Sequence, residues 1–281
     1  MSSSLIACLT DFGGRDPYAG VLKAVALGIA PSSRWVDLTH AIAPGAVRQA
    51  ALAVWQSAPY LPEGSILLGV VDPGVGSSRL PIIVAWDRLL AVGPDNGLFS
   101  YLAAASHPQR IIEIHPERID PPHPISRTFH GRDLFAVAAA CLAEGKPVES
   151  LGDPISGMTL LPAPRLELEA KRGTITGEVI HFDHFGNAIT SIGVLHRQGE
   201  SMQLEPWLGQ QPPTSVPEAG ASVLWQQTEI PLLASYTEAP LGAALAYIGS
   251  SGLLEIAVHG GRAEESLGLR LDDRVQLCYK R

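Results

Sequence analysis

Short apolar runs alternate with helix-period segments through the first half of the chain, and this alternation constrains the fold most strongly. Leu5 to Leu9 is strand-like, and Asp16-Pro17 is typical of the start of a helix, which we expect to run to Ile29. Apolar residues recur at helical spacing over 46–60, and 66–71 is strand-like again. Strands that alternate with helices over such a length favour an α/β domain with a mostly parallel sheet.

The second half of the chain has a different pattern. Residues 161–172 contain Pro162 and Pro164 and end in Lys171-Arg172, which is typical of a linker. Beyond them, β-like runs are separated by turn residues at 174–182, 188–192, 222–226, 244–248, 253–258 and 274–279. The sequence therefore predicts an α/β fold class in which an N-terminal domain (1–160) precedes the linker and a smaller, all-β, barrel-like C-terminal domain (173–281).

Composition excludes several classes of protein. The 281 residues are 46% hydrophobic and 17% charged, which is enough apolar material for a core. A net charge of −8 offers no basic patch, so we expect no nucleic-acid partner. No apolar run approaches the roughly 18 residues of a membrane span, and the N-terminus lacks a basic segment. We therefore expect a cytoplasmic protein with no membrane partner.

The segment 70–79, Val-Val-Asp-Pro-Gly-Val-Gly-Ser-Ser-Arg, places an acid and a guanidinium at the two ends of one loop. Asp72 follows an apolar strand, and Arg79 precedes the next one. Gly74 and Gly76 permit backbone conformations that other residues resist. Open α/β sheets bind ligands at the carboxyl ends of strands, which makes Asp72 and Arg79 candidate site residues. The alternative is a surface turn with a solvated ion pair.

Two further candidates lie in the predicted N-terminal domain. Asp11 follows a strand and begins a Phe-Gly-Gly loop, so its carboxylate is suited either to ligand hydroxyls or to capping a turn. His130 lies at the start of a helix predicted over Phe129 to Ala143 and closed by Gly145. The helix dipole there favours a neutral imidazole. A capping or exposed histidine is the alternative.

The predicted β domain contains two polar segments. In 181–187, the two histidines would lie on opposite faces of a strand and no third ligand has suitable spacing, so we expect no metal site. Phe185 and Asn187 fit better as an aromatic surface beside an amide that reads a base edge. Ser250, between Gly249 and Gly252, offers a hydroxyl to an anion such as a carboxylate, unless the segment is only a turn.

Seven segments together resemble the S-adenosyl-L-methionine (SAM) hydroxide adenosyltransferases, or adenosine-forming SAM hydrolases, whose relatives include fluorinating and chlorinating SAM enzymes. They occur in the family's order: Leu-Thr-Asp-Phe-Gly (9–13), Asp-Leu-Thr-His (37–40), Val-Val-Asp-Pro-Gly-Val-Gly (70–76), Gly-Pro-Asp-Asn-Gly (93–97), Thr-Phe-His-Gly-Arg-Asp (128–133), Phe-Gly-Asn (185–187) and Leu-Glu-Ile-Ala-Val (254–258). The resemblance implies a homotrimer with active sites between the N-terminal domain of one subunit and the C-terminal domain of its neighbour.

The resemblance also implies roles for individual residues. Asp72, Arg79 and His130 would position the attacking water. Because charge disperses in this displacement, a pocket that excludes water favours it, and aromatic Phe129 would supply part of the wall. The implied substrate contacts are Asp11 with the ribose, Asp183 with the methionine amine, Phe185 and Asn187 with the base, Ser250 with the methionine carboxylate and the Gly260 backbone with adenine.

We therefore expect hydrolysis of SAM to adenosine and L-methionine, with SAM as substrate and no cofactor. Asp72 disfavours the alternative of a chloride-using halogenase, because halogenating relatives carry tyrosine there. A non-catalytic SAM- or adenosine-binding module is the other alternative. Two departures are Gly45, where the fluorinating enzyme covers the sugar with an aromatic, and Ser251, where that enzyme has a basic residue. The sequence leaves open whether Asp72 or His130 takes the proton.

Overall fold

The computed structural model describes residues 4–199, 201–208 and 212–280. The chain divides into two compact units, Met1–Leu161 and Pro162–Arg281. Each unit has its own apolar core. No helix in the described ranges is long and apolar enough to cross a membrane.

Seven strands of the first unit form one mixed sheet. In chain order they are β1 (Leu5–Thr10), β2 (Arg34–Thr39), β3 (Ser65–Val70), β4 (Pro81–Ala85), β5 (Leu89–Pro94), β6 (Arg110–Ile114) and β7 (Gly152–Pro154). Across the sheet the order is β2-β1-β3-β5-β4-β6-β7. The strands β2, β1, β3 and β5 pair in parallel, and every residue of β3 is buried.

The expectation of a mostly parallel sheet holds for those four strands but not for the rest. β4 pairs antiparallel with both β5 and β6, and β7 pairs antiparallel with β6. The reason is chain length, because only residues 86–88 join β4 to β5. A parallel crossover needs a dozen residues or more, whereas so short a connection permits only a hairpin.

The helices of the first unit follow the predicted periodicity closely. They are α1 (Tyr18–Ile29), α2 (Val47–Ser57), α3 (Ser100–Ala105), α4 (Pro116–Ile119) and α5 (Ala136–Ala143). Pro17, and not Asp16 as predicted, is the N-cap of α1. One turn of π-helix, Gly131–Phe135, leads into α5 directly after His130. Gly145 ends α5 as predicted, with a φ of 85° and an N–H that donates to the Leu142 carbonyl at 2.9 Å.

The second unit is built from antiparallel strands and one short helix. The strands are β8 (Leu166–Glu169), β9 (Thr174–Phe182), β10 (Ala188–Thr190), β11 (Leu195–Gln198), β12 (Ser201–Leu204), β13 (Thr214–Pro217), β14 (Ser222–Trp225), β15 (Thr228–Pro231), β16 (Ala244–Ile248), β17 (Leu254–Val258) and β18 (Arg274–Cys278), and the helix is α6 (Ala263–Leu267). β8 lies inside the segment predicted as a linker, because alternating leucines pack it against β9.

The larger sheet of this unit is nearly closed. Its order is β15-β14-β18-β9-β10-β17-β16, with β8 beside β9, and β11, β12 and β13 form a separate three-stranded sheet. A bridge between Leu232, which follows β15, and Ala246 in β16 connects the two ends of the larger sheet. The six predicted β-like runs are all strands of this sheet, in β9, β10, β14, β16, β17 and β18.

Candidate active site

The carboxyl ends of the parallel strands bring several polar residues to one edge of the first sheet. Asp11 follows β1, His40 follows β2 and Asp72 follows β3, while Asn96 comes after β5. The register pairs Thr10 with Val70, so Asp11 and Asp72 leave neighbouring strands at the same level. The Asn96 amide donates to the Val71 carbonyl at 2.8 Å and fixes the end of the strand that carries Asp72. Asn96 was not identified from the sequence.

Asp72, Arg79 and His130 form one hydrogen-bonded assembly. Arg79 donates from Nε to Oδ1 of Asp72 at 2.9 Å and from Nη2 to Oδ2 at 2.5 Å. The same Nη2 lies 2.7 Å from Nδ1 of His130. The side chains of Arg79 and Asp72 are only 9% and 6% exposed, so the alternative of a solvated surface ion pair is wrong.

The assembly fixes the protonation of His130. A guanidinium has only donors, so Arg79 donates to Nδ1 and Nδ1 carries no proton. The neutral imidazole therefore has its proton on Nε2. Partial burial and the positive charge of Arg79 lower the pKa of His130, and the charge of Asp72 only partly opposes this. His130 is thus a hydrogen-bond donor at neutral pH and not a free base.

Loop geometry brings Asp72 and Arg79 together. The Val75 N–H donates to the Asp72 carbonyl at 3.2 Å, and the Ser77 hydroxyl donates to the Gly74 carbonyl at 2.6 Å. Gly76 has a φ of 78°, and a Cβ there would lie 2.5 Å from the Arg127 carbonyl oxygen. The loop therefore requires glycine at 76 both for its backbone conformation and for close packing.

A buried carboxylate supports the segment that precedes His130. Asp133 is 3% exposed and accepts hydrogen bonds from the Ser126 N–H at 2.8 Å and from Arg132 Nε at 2.6 Å. Burial alone would raise the pKa of Asp133, but these hydrogen bonds hold it below its usual value. On the following turn, the Phe135 ring lies 5.1 Å from the guanidinium carbon of Arg79. The sequence analysis did not assign a role to Asp133 or Phe135.

Asp11 and Phe129 lie on the same unit as the trio. Oδ2 of Asp11 accepts the Gly45 N–H at 2.8 Å, so Gly45 supports the acid through its backbone. The Phe129 ring packs edge-on against Phe12 and Tyr18, with centroids 5.7 and 5.4 Å away. Phe129 immediately precedes His130, so this aromatic group lies next to the trio along the chain.

All five predicted site residues of the second unit line one cavity of about 640 Å³. They are Asp183, Phe185, Asn187, Ser250 and Gly260. The residues that the sequence analysis missed, Tyr236, Tyr247, Glu255 and Gly261, line it as well. Glu255 lies inside the Leu-Glu-Ile-Ala-Val segment. A single acid in an otherwise apolar strand was a signal in the sequence that this residue has a functional role.

Hydrogen bonds hold Asp183 and Asn187 as a pair. The backbone N–H and the side-chain amide of Asn187 each donate to the Asp183 carboxylate at 2.8 Å. The Tyr236 hydroxyl donates to the Asn187 Oδ1. The second N–H of the Asn187 amide is left over from these contacts. Phe185 is 72% exposed, which makes its ring face available.

Glu255 adds a second carboxylate to this cavity. It is 8% exposed and accepts a hydrogen bond from the Tyr247 hydroxyl at 2.5 Å. Burial raises the pKa of Glu255, the hydrogen bond from Tyr247 partly opposes this, and the charge of Asp183 raises it further. Burial, together with the bond to Glu255, also raises the pKa of Tyr247. The cavity therefore combines negative charge with aromatic surface, which suits a cationic ligand that carries a ring.

The described parts of the chain contain no group of three or more His, Cys, Asp or Glu side chains arranged to hold a metal ion. His181 lies in β9, where burial lowers its pKa. The ring of His184 packs edge-on against Phe185 at 5.6 Å. The two histidines thus contribute to the strand and to the surface beside the cavity.

Comparison with known proteins places this chain among enzymes that act on SAM. The chain matches the SAM hydroxide adenosyltransferase N-terminal domain over residues 6–152 and the C-terminal domain of the same family over residues 177–276. The protein belongs to the SAM hydroxide adenosyltransferase family.

Individual relatives agree with this assignment. A protein of Thermus thermophilus named (R)-S-adenosyl-L-methionine hydrolase is 42% identical over 96% of this chain and 97% of its own. A Salinispora tropica protein of the same name is 36% identical over 97% of both chains. A fluorinase of Nocardia brasiliensis is 25% identical over 97% of this chain and 96% of its own.

The fold is also that of a solved structure. An uncharacterized conserved protein from Thermotoga maritima superposes with a TM-score of 0.82 at 31% identity, covering 97% of this chain and 100% of that one. At that identity and coverage the likeness extends over both units.

Proposed function

We propose that this protein hydrolyses SAM to adenosine and L-methionine, and that the Asp72–Arg79–His130 assembly positions the attacking water. The hydrogen-bonded trio is the observation that carries the proposal. It presents an acceptor, a fixed cation and a neutral Nε2–H donor in one partly buried place. One water bound among them can donate to Asp72 and accept from His130. Family membership supports the reaction.

The chemistry suits such a site. SAM is a sulfonium cation whose leaving group, neutral methionine, departs without protonation. Displacement at C5′ needs a water in line with the breaking carbon–sulfur bond, and such alignment contributes roughly 7–11 kcal/mol in well-oriented reactions. Charge disperses when a hydroxide-like oxygen meets a sulfonium, so water exclusion by Phe129 and its aromatic neighbours favours the transition state.

We assign proton acceptance to Asp72. The Nδ1 lone pair of His130 is used by Arg79 and its Nε2 is protonated, so the imidazole has no free acceptor. A carboxylate has about four lone-pair sites, and Arg79 uses two of those on Asp72. As the carbon–oxygen bond forms, the water proton moves to an Asp72 oxygen and the carbon–sulfur electron pair leaves with methionine. Neither a cofactor nor a metal is needed for this step.

The cavity of the second unit supplies the substrate contacts in this proposal. Asp183, assisted by Glu255, faces the methionine ammonium, and Ser250 takes the carboxylate. The ring of Phe185 and the remaining N–H of Asn187 bind the base, with the Gly260 backbone beside it. Asp11 holds the ribose hydroxyls. The roles of the second-unit residues rest on the resemblance and on the shared cavity lining, and the role of Asp11 rests on the resemblance.

We further propose that the enzyme is a homotrimer in which each active site combines the N-terminal domain of one subunit with the C-terminal domain of the next. The resemblance supports this arrangement. Light scattering after size-exclusion chromatography should give three times the mass of one chain. A monomer with full activity would contradict it.

The relatives at 42% and 36% identity are named for the (R) epimer at sulfur. We propose the same preference here, since both cover nearly the whole chain. The test uses SAM of mixed configuration at sulfur, with each epimer followed separately by chromatography. Faster loss of the (R) epimer is expected, and equal loss of the two epimers would contradict the preference.

Incubation with SAM in oxygen-18 water tests the reaction. Mass analysis should find one labelled oxygen in adenosine and none in methionine. A parallel incubation with chloride should yield no 5′-chloro-5′-deoxyadenosine, because the anionic Asp72 repels a halide. Unlabelled adenosine would reject attack at C5′ by solvent. SAM that survives long incubation while bound would indicate a binding module instead.

A further inference from the structure

A second polar network lies at the same sheet edge, and the mechanism above does not use it. Lys23 Nζ donates to Oδ2 of Asp37 at 2.7 Å, and Oδ1 of Asp37 lies 3.3 Å from Nε2 of His40. Nδ1 of His40 is 2.9 Å from the Thr10 hydroxyl. Asp37 and His40 are the two ends of the Asp-Leu-Thr-His segment, whose chemistry is otherwise unassigned.

The direction of the hydrogen bond between His40 and Thr10 follows from the charges around His40. Nε2 of His40 is buried and makes no hydrogen bond among the described residues, and Oδ1 of Asp37 lies 3.3 Å from it as an ion-pair contact. Partial burial alone would raise the pKa of Asp37, but the hydrogen bond and charge of Lys23 hold it below its usual value. Asp37 is thus a carboxylate, and its negative charge beside Nε2 favours a proton on that nitrogen, which leaves Nδ1 to accept from the Thr10 hydroxyl.

The order acid–imidazole–hydroxyl is that of a nucleophilic triad, but Thr10 cannot act as a nucleophile. Thr10 is the last residue of β1 and is completely buried, so no substrate carbon reaches its oxygen. The Thr10 oxygen instead accepts the Phe12 N–H at 3.2 Å. A network that ends in a buried hydroxyl can only orient what is attached to it.

Asp11 is what the network orients. Thr10 and Phe12 flank Asp11 in the chain. The Thr10 hydroxyl, which is hydrogen-bonded to His40, also accepts the Phe12 N–H. On the other side, the Gly13 N–H donates to the His40 carbonyl at 2.7 Å. His40 therefore fixes the loop 10–13 at both ends, through its ring and through its backbone. With Oδ2 of Asp11 occupied by the Gly45 N–H, Oδ1 is left for a ligand.

We propose that His40, oriented by Asp37, is a positioning residue that aims the Asp11 carboxylate at the ribose hydroxyls through the Thr10 hydroxyl. The proposal rests on the proposed function, because it requires the adenosine part of SAM to lie against Asp11. It also explains how the site would select a ribose over a deoxyribose.

Calorimetry with adenosine, 2′-deoxyadenosine and 3′-deoxyadenosine tests it. A hydrogen bond to a charged group contributes about 1.5–3 kcal/mol. The wild type should therefore bind adenosine about 10-fold or more tightly than whichever of the two deoxyadenosines binds more weakly. Thr10→Val keeps the shape of the side chain and removes the hydroxyl, and we expect this preference to fall below about 3-fold. Thr10→Ser keeps the hydroxyl and should keep the preference.

A purely structural role would give a different result. It would lower the melting temperature, or weaken all three nucleosides equally, and leave their ratio unchanged. An unchanged ratio in well-folded Thr10→Val would overturn the proposal, and so would a wild type with no preference. If Thr10→Val does not fold, His40→Asn and His40→Leu make the same comparison. Asn places an acceptor oxygen near the position of Nδ1 and should retain the preference that Leu loses.

This experiment separates the proposal from the reaction itself. Nucleoside binding needs no turnover, whereas labelling from oxygen-18 water does. Labelled adenosine together with an unchanged ratio rejects the positioning role alone. A collapsed ratio in Thr10→Val without any SAM turnover rejects hydrolysis and keeps the positioning role.

Discussion

Nη2 of Arg79 donates to Nδ1 of His130 at 2.7 Å while the same nitrogen contacts Asp72. One planar guanidinium therefore sets the orientation of both the acceptor and the donor that we propose hold the water. Removing it affects two partners at once, which makes the three side chains a single functional unit.

Arg79→Lys tests that coupling. A lysine ammonium keeps the charge but cannot reproduce the planar fork that contacts both partners. We expect kcat to fall about 10²–10³-fold, the range found when one positioned donor is removed. Adenosine release measured by chromatography gives the rate. Arg88→Lys, an exposed arginine in the β4–β5 connection, is the matched control and should be unaffected.

The same unit predicts non-additive losses. Asp72→Ala combined with Arg79→Lys should be about as slow as the worse single variant, because either change already disables the shared water. Two losses that multiply would show that the residues act independently.

The acid limb of the pH profile should report His130. Burial and the positive charge of Arg79 lower the pKa of His130 below its usual 6.5, so the imidazole is neutral at pH 7. As pH falls through that lowered pKa, a proton on Nδ1 would face the Arg79 N–H and break the assembly. We expect kcat/KM to be flat above pH 6.5 and to fall below the lowered pKa.

The stability linked to His130 has the same sign. Its pKa is lower folded than unfolded, so this contribution is complete above the unfolded value and is lost as pH falls through the folded one. His130→Asn retains an acceptor for Arg79 but does not titrate. Its remaining activity should lack this acid limb, and an unchanged limb would assign the ionisation to another group.

Much of this site was predictable because its residues follow strands. Asp11 and Asp72 each come directly after an apolar run, and parallel strands must place such residues at one edge of the sheet. The turn glycines, Gly76 and Gly145, were recognisable for a similar reason, since each has a positive φ that other side chains resist. Local pattern and physical requirement coincide at these positions.

The missed residues meet through contacts that the sequence motifs do not mark. Glu255 faces Tyr247 across the neighbouring strands β16 and β17, eight residues apart, and Asn187 meets Tyr236 from 49 residues away. The first contact depends on the register of β16 and β17, and the second on the placement of the turn that carries Tyr236, and neither was predicted from the sequence. The antiparallel half of the first sheet was not predicted, because the alternation of strands and helices does not reveal the direction of a strand that follows a short hairpin such as the one after β4.

Gly76→Ala should destabilise the protein. Its φ of 78° disfavours a Cβ, and that Cβ would lie 2.5 Å from the Arg127 carbonyl oxygen. We expect a loss of about 1–3 kcal/mol of unfolding free energy, as for other strained positions. Gly14→Ala is the control, because its Cβ would meet no atom within 4 Å. Thermal melts that fall equally for both variants would disprove the close packing of this loop.

Glu255→Gln should weaken binding of the cationic methionine part of the substrate. Glu255 lines the cavity beside Asp183, and burial raises its pKa above the usual 4.5. A deprotonated Glu255 attracts an ammonium, so affinity for L-methionine should fall as pH falls through that raised pKa. We expect Glu255→Gln to bind L-methionine about 3–10-fold more weakly at neutral pH, on the order of 1 kcal/mol, and to lose that part of the pH dependence. Calorimetry at several pH values measures the affinity and its pH dependence. Glu264→Gln, at an exposed position in α6, serves as the control. An unchanged affinity with an unchanged pH profile would mean that Glu255 only supports Tyr247 and leaves Asp183 to bind the ammonium alone.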